Sequence, residues 1–185
     1  VYDNFTDECI VEELPEEFDE IYVGVDHGVT HPATFIMIGV KDREVYVIKE
    51  FCQSNRTNSE LADEFINFID GYSVDGITVD SAAASLILEF NKRGIYTTDC
   101  NKEVVDGITL VTQLIGENRL FVHKSCKNLI KEFYTYSWDD KKSISQGKDV
   151  VIKLNDDCCD ALRYACKTFL NFDTRAYAYD LSSLG

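Results

Sequence analysis

The chain has 185 residues, 45% of them apolar, and its 33 Asp and Glu against 18 Lys and Arg leave a formal net charge of −15. That length suits one domain with a sizeable core, and that charge excludes a broad basic footprint for nucleic acid. No apolar run reaches transmembrane length, no signal-peptide pattern opens the chain, and seven scattered cysteines without a C-x-x-C pair argue against a zinc site.

Residues 1–20 are acidic and carry no periodicity, with Glu12-Glu13-Leu14-Pro15-Glu16-Glu17 among them; they read as an arm or linker leading into a domain over residues 21–185. Three strands are expected next. Tyr22 to Asp26 is short and apolar, Thr34 to Val40 is apolar throughout as a buried strand would be, and Val45 to Phe51 alternates. Lys41-Asp42-Arg43-Glu44 forms the turn between the last two. Asn58 or Ser59 is the expected cap of a helix to about Asp70, with Leu61, Phe65, Phe68 and Ile69 on one face. A strand over 77–80 follows, then a helix from Ser81 to Lys92 ended by Gly94. Ile95 to Thr97 reads as a brief strand, Lys102 to Ile115 as a helix, Leu120 to Val122 as a strand, and Lys124 to Tyr136 as a helix. Residues 138–153 break the pattern and read as a mobile loop or a hairpin turning at Gln146-Gly147. A last helix spans about Asp156 to Leu170. Three adjacent strands followed by alternating helices and strands imply an α/β fold, a mixed central sheet with helices on both faces.

Three aspartates stand out against this frame. Asp26 and Asp80 each end an apolar strand, where a carboxylate borders a core it cannot enter unpaired. Asp160 lies in the last helix with Asp156 and Asp157. Positions 157 and 160 are three apart and positions 156 and 160 four apart, so each pair can share a helical face. Acids gathered from separate elements call for a positive centre, and a pair of divalent metal ions is the first candidate. Plainer readings exist for each. Asp80 is also placed to cap the helix starting near Ser81, and Asp156 to favour a helix dipole. Gly28 lets the chain turn beside Asp26 without a crowding side chain. His27 and His31 flank the first motif and are weighed as bases, though a metal-activated water makes a histidine base unnecessary.

Certain phrases are more specific. Gly24-Val25-Asp26-His27-Gly28 precedes His31-Pro32-Ala33; Val105-Asp106-Gly107-Ile108 follows; Asn155-Asp156-Asp157 then leads into Asp160-Ala161-Leu162-Arg163-Tyr164. In this order, from about Tyr22 to Phe169, the chain resembles the nuclease domain of the large terminase subunit of tailed bacteriophages. The resemblance implies a ribonuclease H-like fold and an endonuclease that cuts concatemeric viral double-stranded DNA during genome packaging, with two Mg²⁺ or Mn²⁺ ions. It assigns Asp26, Asp80 and Asp160 as catalytic metal ligands. Relatives often carry His at the position of Asp157; an aspartate there makes the site harder and leaves the fourth ligand open between Asp156 and Asp157. It also implies the portal protein and the small terminase subunit as partners, work in the host cell cytoplasm during virion assembly, and an ATPase domain upstream. The chain opens on Val1 rather than Met and has no G-x-x-x-x-G-K-[ST] motif, as expected of a piece without that ATPase.

Lys141, Lys142, Lys148 and Lys153 are the nearest thing to a basic patch, read as a flap touching the DNA backbone or as a solvated loop. The acidic surface otherwise predicts weak DNA binding by this chain alone. Three rival readings share parts of this pattern. An actin-like kinase shares the Asp26, Gly28 and Thr30 pattern but needs a longer chain. A junction resolvase or transposase shares fold and chemistry. A portal or capsid docking module without catalysis would not need all three aspartates.

Overall fold

The computed structural model describes residues 1–28 and 31–170. Thr30, part of the kinase-like pattern, and residues 171–185, the end of the expected domain, lie outside them.

The strands in chain order are β1 (Ile10–Val11), β2 (Glu20–His27), β3 (Ala33–Lys41), β4 (Glu44–Gln53), β5 (Gly76–Val79), β6 (Thr98–Asp99) and β7 (Leu120–His123). The helices are α1 (Asn58–Ile69), α2 (Ala84–Lys92), α3 (Val104–Gly116), α4 (Lys127–Thr135), α5 (Asp140–Gln146) and α6 (Asp157–Phe169). The strands form one 7-stranded sheet in the order β1-β7-β4-β3-β2-β5-β6. It is mixed, as expected. β2, β3 and β4 run antiparallel, while β2 with β5, β5 with β6, β4 with β7 and β1 with β7 are parallel.

Helices cover both faces. Phe35 and Met37 of β3 join Val23 and Val25 of β2 in a core with α1 and α2, whereas Ile36, Ile38 and Val40 join a core with α3, α4 and α6. This is why β3 reads as a continuous apolar run: a central strand covered on both faces has no polar side. A register shift opposite Met37 and Ile38 inserts one residue into β4. Val47 and Ile48, at this shift, lie in opposite cores. All seven cysteines are free, and all but Cys52 are buried.

Five expectations change. First, the N-terminal segment is not a free arm. Tyr2, Phe5 and Cys9 are buried in the α3/α4/α6 core, Phe5 stacks on Phe133, and Ile10 and Val11 pair with Val122 and His123. Apolar surface that would cost free energy in water anchors it despite the acids around it. Second, Thr57 caps α1, accepting from the Glu60 amide while the Glu60 carboxylate accepts from the Thr57 amide; Asn58 is free for another task. Third, the helix expected from Ser81 begins as a 3-10 turn, Ser81–Ala83, with α2 following. Fourth, the brief strand falls at Thr98–Asp99 rather than 95–97, because Thr98 and Asp99 are the residues in register with Thr78 and Val79. Fifth, residues 138–153 contain α5, ended by Gly147 with a left-handed φ of 63°, and are closed by a bridge between Trp138 and Val151. The segment is a helix-bearing hairpin, not a loop.

Candidate active site

Asp26 owes its position to the pleat of β2. Val23 and Val25 enter the α1/α2 core, so Gly24 and Asp26 face the opposite layer, where α6 crosses the sheet. Asp156 stands at the N-terminal boundary of α6, and Asp157 and Asp160 lie in its first turn. The three are buried, Asp26 partly so. Together with His27, Gly28, His31 and Lys153 they line a cleft of ≈170 Å³. Burial, then the charges of Asp160 and Asp157, push the Asp26 carboxyl up to about 7. Burial foremost also raises Asp157, against a lowering effect of His31, whose Nδ1 stands 3.9 Å from its Oδ1.

Asp160 is held on both oxygens. Arg163 Nη2 donates to Oδ1 at 2.5 Å, and Lys153 Nζ donates to Oδ2 at 2.6 Å. Lys153 Nζ also lies 3.0 Å from Asp156 Oδ2. Arg163 is 1% exposed, and its Nε and Nη1 find no hydrogen-bond partner among the described residues. Its guanidinium instead lies 5.1 Å from the Tyr164 ring centroid.

Asp80 follows β5, which runs beside β2 with Val79 opposite Val25, so the two strand-end aspartates leave adjoining strands. The structure does not bring the Asp80 carboxylate to the cleft, however. Its Oδ1 accepts from the Ala82 amide at 2.7 Å and pairs with Lys102 Nζ at 2.5 Å. The capping contact weighed from the sequence is therefore present.

Among the described residues, no three His, Cys, Asp or Glu side chains already stand in metal-holding geometry. The donor chemistry nevertheless fits a hard divalent ion. The cleft gathers carboxylate oxygens from β2 and α6, without thiolates, and one carboxyl rises to about 7 through burial first and its acidic neighbours second.

Residues 26–168 match the family model of the terminase RNase H-like domain. The chain belongs to that family. It is 30% identical over 158 residues to the large terminase subunit of Escherichia phage T5, a match spanning 80% of this chain and 35% of that protein. It superimposes on the large terminase of a thermophilic bacteriophage, solved in complex with ADP, with a TM-score of 0.85 and 29% identity over 92% of this chain and 44% of that one. The nuclease domain of the SPP1 large terminase, solved with bound Mn, gives a TM-score of 0.66 at 22% identity, covering 89% of this chain and 96% of that one. The chain thus spans under half the length of the full-length large terminases it matches. The fold is ribonuclease H-like, as the sequence phrases implied.

In this terminase domain the expected basic patch divides. Lys141 and Lys142 on α5 and Lys148 beyond it are exposed, with Lys142 also near Asp139 at 3.4 Å. Lys153 points the other way, into the acids. The reason is electrostatic: a half-buried ammonium beside Asp156 and Asp160 gains two counter-charges, which also raise its pKa against the opposing effect of burial.

Two roles near the site are not legible in the sequence, that of Glu132 and that of Asn58, expected only as a helix cap. Glu132 of α4 is buried, accepts from the Cys159 amide at 2.8 Å, and fixes the start of α6. Burial pushes it up to about 7, although the bonds it accepts from Cys159 and Cys158 lower it. Its signal was an acid on the same helical face as Leu129 and Phe133. The second is Asn58, whose Oδ1 lies 2.6 Å from His27 Nε2 and whose Nδ2 donates to Ser85 Oγ at 2.8 Å. These residues line a second cleft of ≈400 Å³ that shares His27, Gly28 and His31 with the first and includes Gln53, Asn55 and Arg56.

Proposed function

We propose that this chain is the nuclease part of a large terminase, a metal-dependent endodeoxyribonuclease that cuts concatemeric double-stranded DNA during viral genome packaging. The observation that carries this reading is the meeting of Asp26 from β2 with Asp157 and Asp160 from α6 in one cleft, in a chain of the terminase RNase H-like family. Asp26, Asp157 and Asp160 would hold divalent ions, Mg²⁺ or Mn²⁺, with Asp80 as the ligand from the adjoining strand once it is released from Lys102. The bound Mn of the SPP1 domain supports the choice of ion. Two such ions would supply Lewis acidity at the scissile phosphate and offset the charge developing there.

The chain's own residues supply the rest. Glu132 ties the start of α6 to α4, and Gly24 lets β2 lie directly against the α6 backbone at Ala161, so the carboxylates are placed before substrate arrives. The polar cleft of Gln53, Asn55, Arg56 and Asn58 offers hydrogen bonds to a DNA strand entering beside the acids, and Asn58 holds the His27 ring. Lys141, Lys142 and Lys148 on the α5 hairpin meet the phosphate backbone. An ATPase domain upstream, the portal protein and the small terminase subunit complete the machine in the host cell cytoplasm.

The test is nicking of a supercoiled plasmid by the purified chain. We expect cleavage in Mn²⁺ or Mg²⁺, none in EDTA, and none from Asp26→Asn or Asp160→Asn proteins purified alongside. Undiminished cutting in EDTA would overturn the metal-dependent reading.

A further inference from the structure

Each oxygen of Asp160 already accepts from a cationic donor. Oδ1 receives Arg163 and Oδ2 receives Lys153 at 2.6 Å. Each oxygen keeps a second lone pair, but a divalent ion there would sit close to a cationic donor, and the repulsion between the cations favours the loss of one of the two partners. Arg163 is the wrong one. It is 1% exposed, and moving it would abandon a buried charge on Asp160. Two more of its nitrogens already lack partners among the described residues. Lys153 is the mobile one. Its side chain is 53% exposed, it rides on a four-carbon stem, and it lies in the stretch between the Trp138–Val151 bridge and α6 that has no helix or strand. Its ammonium can turn to water without moving the backbone.

We propose that Lys153 is the resident cation of the acidic cleft: it bridges Asp160 and Asp156 in the metal-free chain and is displaced when a divalent ion binds. The inference rests on the metal reading above and adds a regulated step to it. With Lys153 in place, part of the negative charge of Asp156 and Asp160 is offset and the cleft stays assembled without metal. In exchange, an incoming ion competes with a tethered positive charge, so the site favours divalent over monovalent cations and fills only at higher metal concentration. Lys153 is thus a positioning residue acting on the carboxylates, not a contact to the DNA backbone.

The experiment is calorimetric titration of Mn²⁺ into the full chain, with and without Lys153→Met and Lys153→Arg, at fixed ionic strength. Removing the competing charge should tighten Mn²⁺ binding by about tenfold in Lys153→Met. Lys153→Arg, which keeps the charge, should bind no tighter than the parent chain. The metal-free Lys153→Met protein should also melt at a lower temperature and regain the difference when Mn²⁺ is added. A merely structural lysine predicts the opposite, since a disordered cleft binds metal more weakly. Equal or weaker Mn²⁺ binding by Lys153→Met would therefore overturn this inference while leaving the metal reading standing. Absence of Mn²⁺ binding by every protein, the parent included, would overturn both.

Discussion

Gly24 of β2 and Ala161 of α6 touch backbone to backbone: a Cβ placed on Gly24 would lie 1.9 Å from the Ala161 carbonyl oxygen and 3.0 Å from the Ala165 amide nitrogen. The atoms that would have to yield belong to a helix backbone, not to the end of a flexible side chain. Asp26 lies two residues beyond this contact and Asp160 one residue before it, so the contact sets their separation. Gly24→Ala should destabilise the fold by about 3 kcal/mol or more, at or above the usual cost of overpacking, and lower cleavage further than lost stability explains. Urea unfolding and plasmid nicking on the same preparation would show both.

Asp26 makes the metal-free chain sensitive to pH. Its folded pKa of about 7 lies above the unfolded carboxyl value. The folded chain therefore holds a proton that the unfolded chain has lost between about pH 4 and pH 7. The stability contributed by this group is complete below the unfolded value and disappears as pH rises through about 7. Asp26→Asn removes that dependence. In EDTA, the urea midpoint of the parent chain should fall more between pH 5 and pH 8 than that of the Asn variant, and the variant should be the more stable of the two at pH 8. Parallel curves would show that Asp26 is ionised throughout.

The acids should rank by position. Asp160→Asn and Asp80→Asn are expected to remove nearly all cleavage. Asn at 80 can still cap the Ala82 amide, so that variant should keep its melting temperature. Asp157→Asn should retain partial activity and need more Mn²⁺, and Asp157→His should be tolerated. Asp156→Asn should matter least, because its carboxylate serves Lys153. Cleavage measured against Mn²⁺ concentration for the set decides the order, and full activity in Asp160→Asn would contradict it at its centre.

The exposed lysines of the α5 hairpin give a separate prediction. Changing Lys141, Lys142 and Lys148 to Ala should weaken cleavage at moderate salt and flatten its salt dependence, each lost phosphate contact lowering the logarithmic slope by about 0.9. The melting temperature should change little, since the three are exposed and the Lys142–Asp139 pair at 3.4 Å is a surface ion pair. An unaltered salt slope would leave the hairpin as a connector.

How far the sequence could be read follows from what each signal measures. β2, β3 and β4 and the two strand-end aspartates were legible because apolar runs that stop at an acid are unusual. Val105-Asp106-Gly107-Ile108 was noticed for its phrasing, and the structure supplies the reason. A Cβ on Gly107 would lie 2.2 Å from Cγ of Arg163, so that glycine makes room for the stem of the arginine that holds Asp160. Thr57-Asn58-Ser59-Glu60 is a capping-box pattern, yet the cap was expected at Asn58 or Ser59 and stands at Thr57. Other features were hidden. Tyr2, Phe5 and Cys9 enter the core from a segment too short to show a period. Helix α5 has no apolar face, and its Ile144 is 84% exposed. Lys153 is one basic residue near others, and only the packed chain shows that its charge points inward while theirs point out.

Among the described residues, the sheet ends on both sides in strands of two residues, β1 and β6. Strands so short offer an approaching copy few free amides and carbonyls, which discourages edge-to-edge association. On the β1 side this protection is supplied by the same acidic segment that looked like a linker. A domain trimmed to begin near residue 21 would expose the edge of β7 and the seats of Tyr2 and Phe5 together. Such a trimmed protein should self-associate and precipitate at concentrations where the longer chain stays dispersed, even with every residue of the acidic cleft intact.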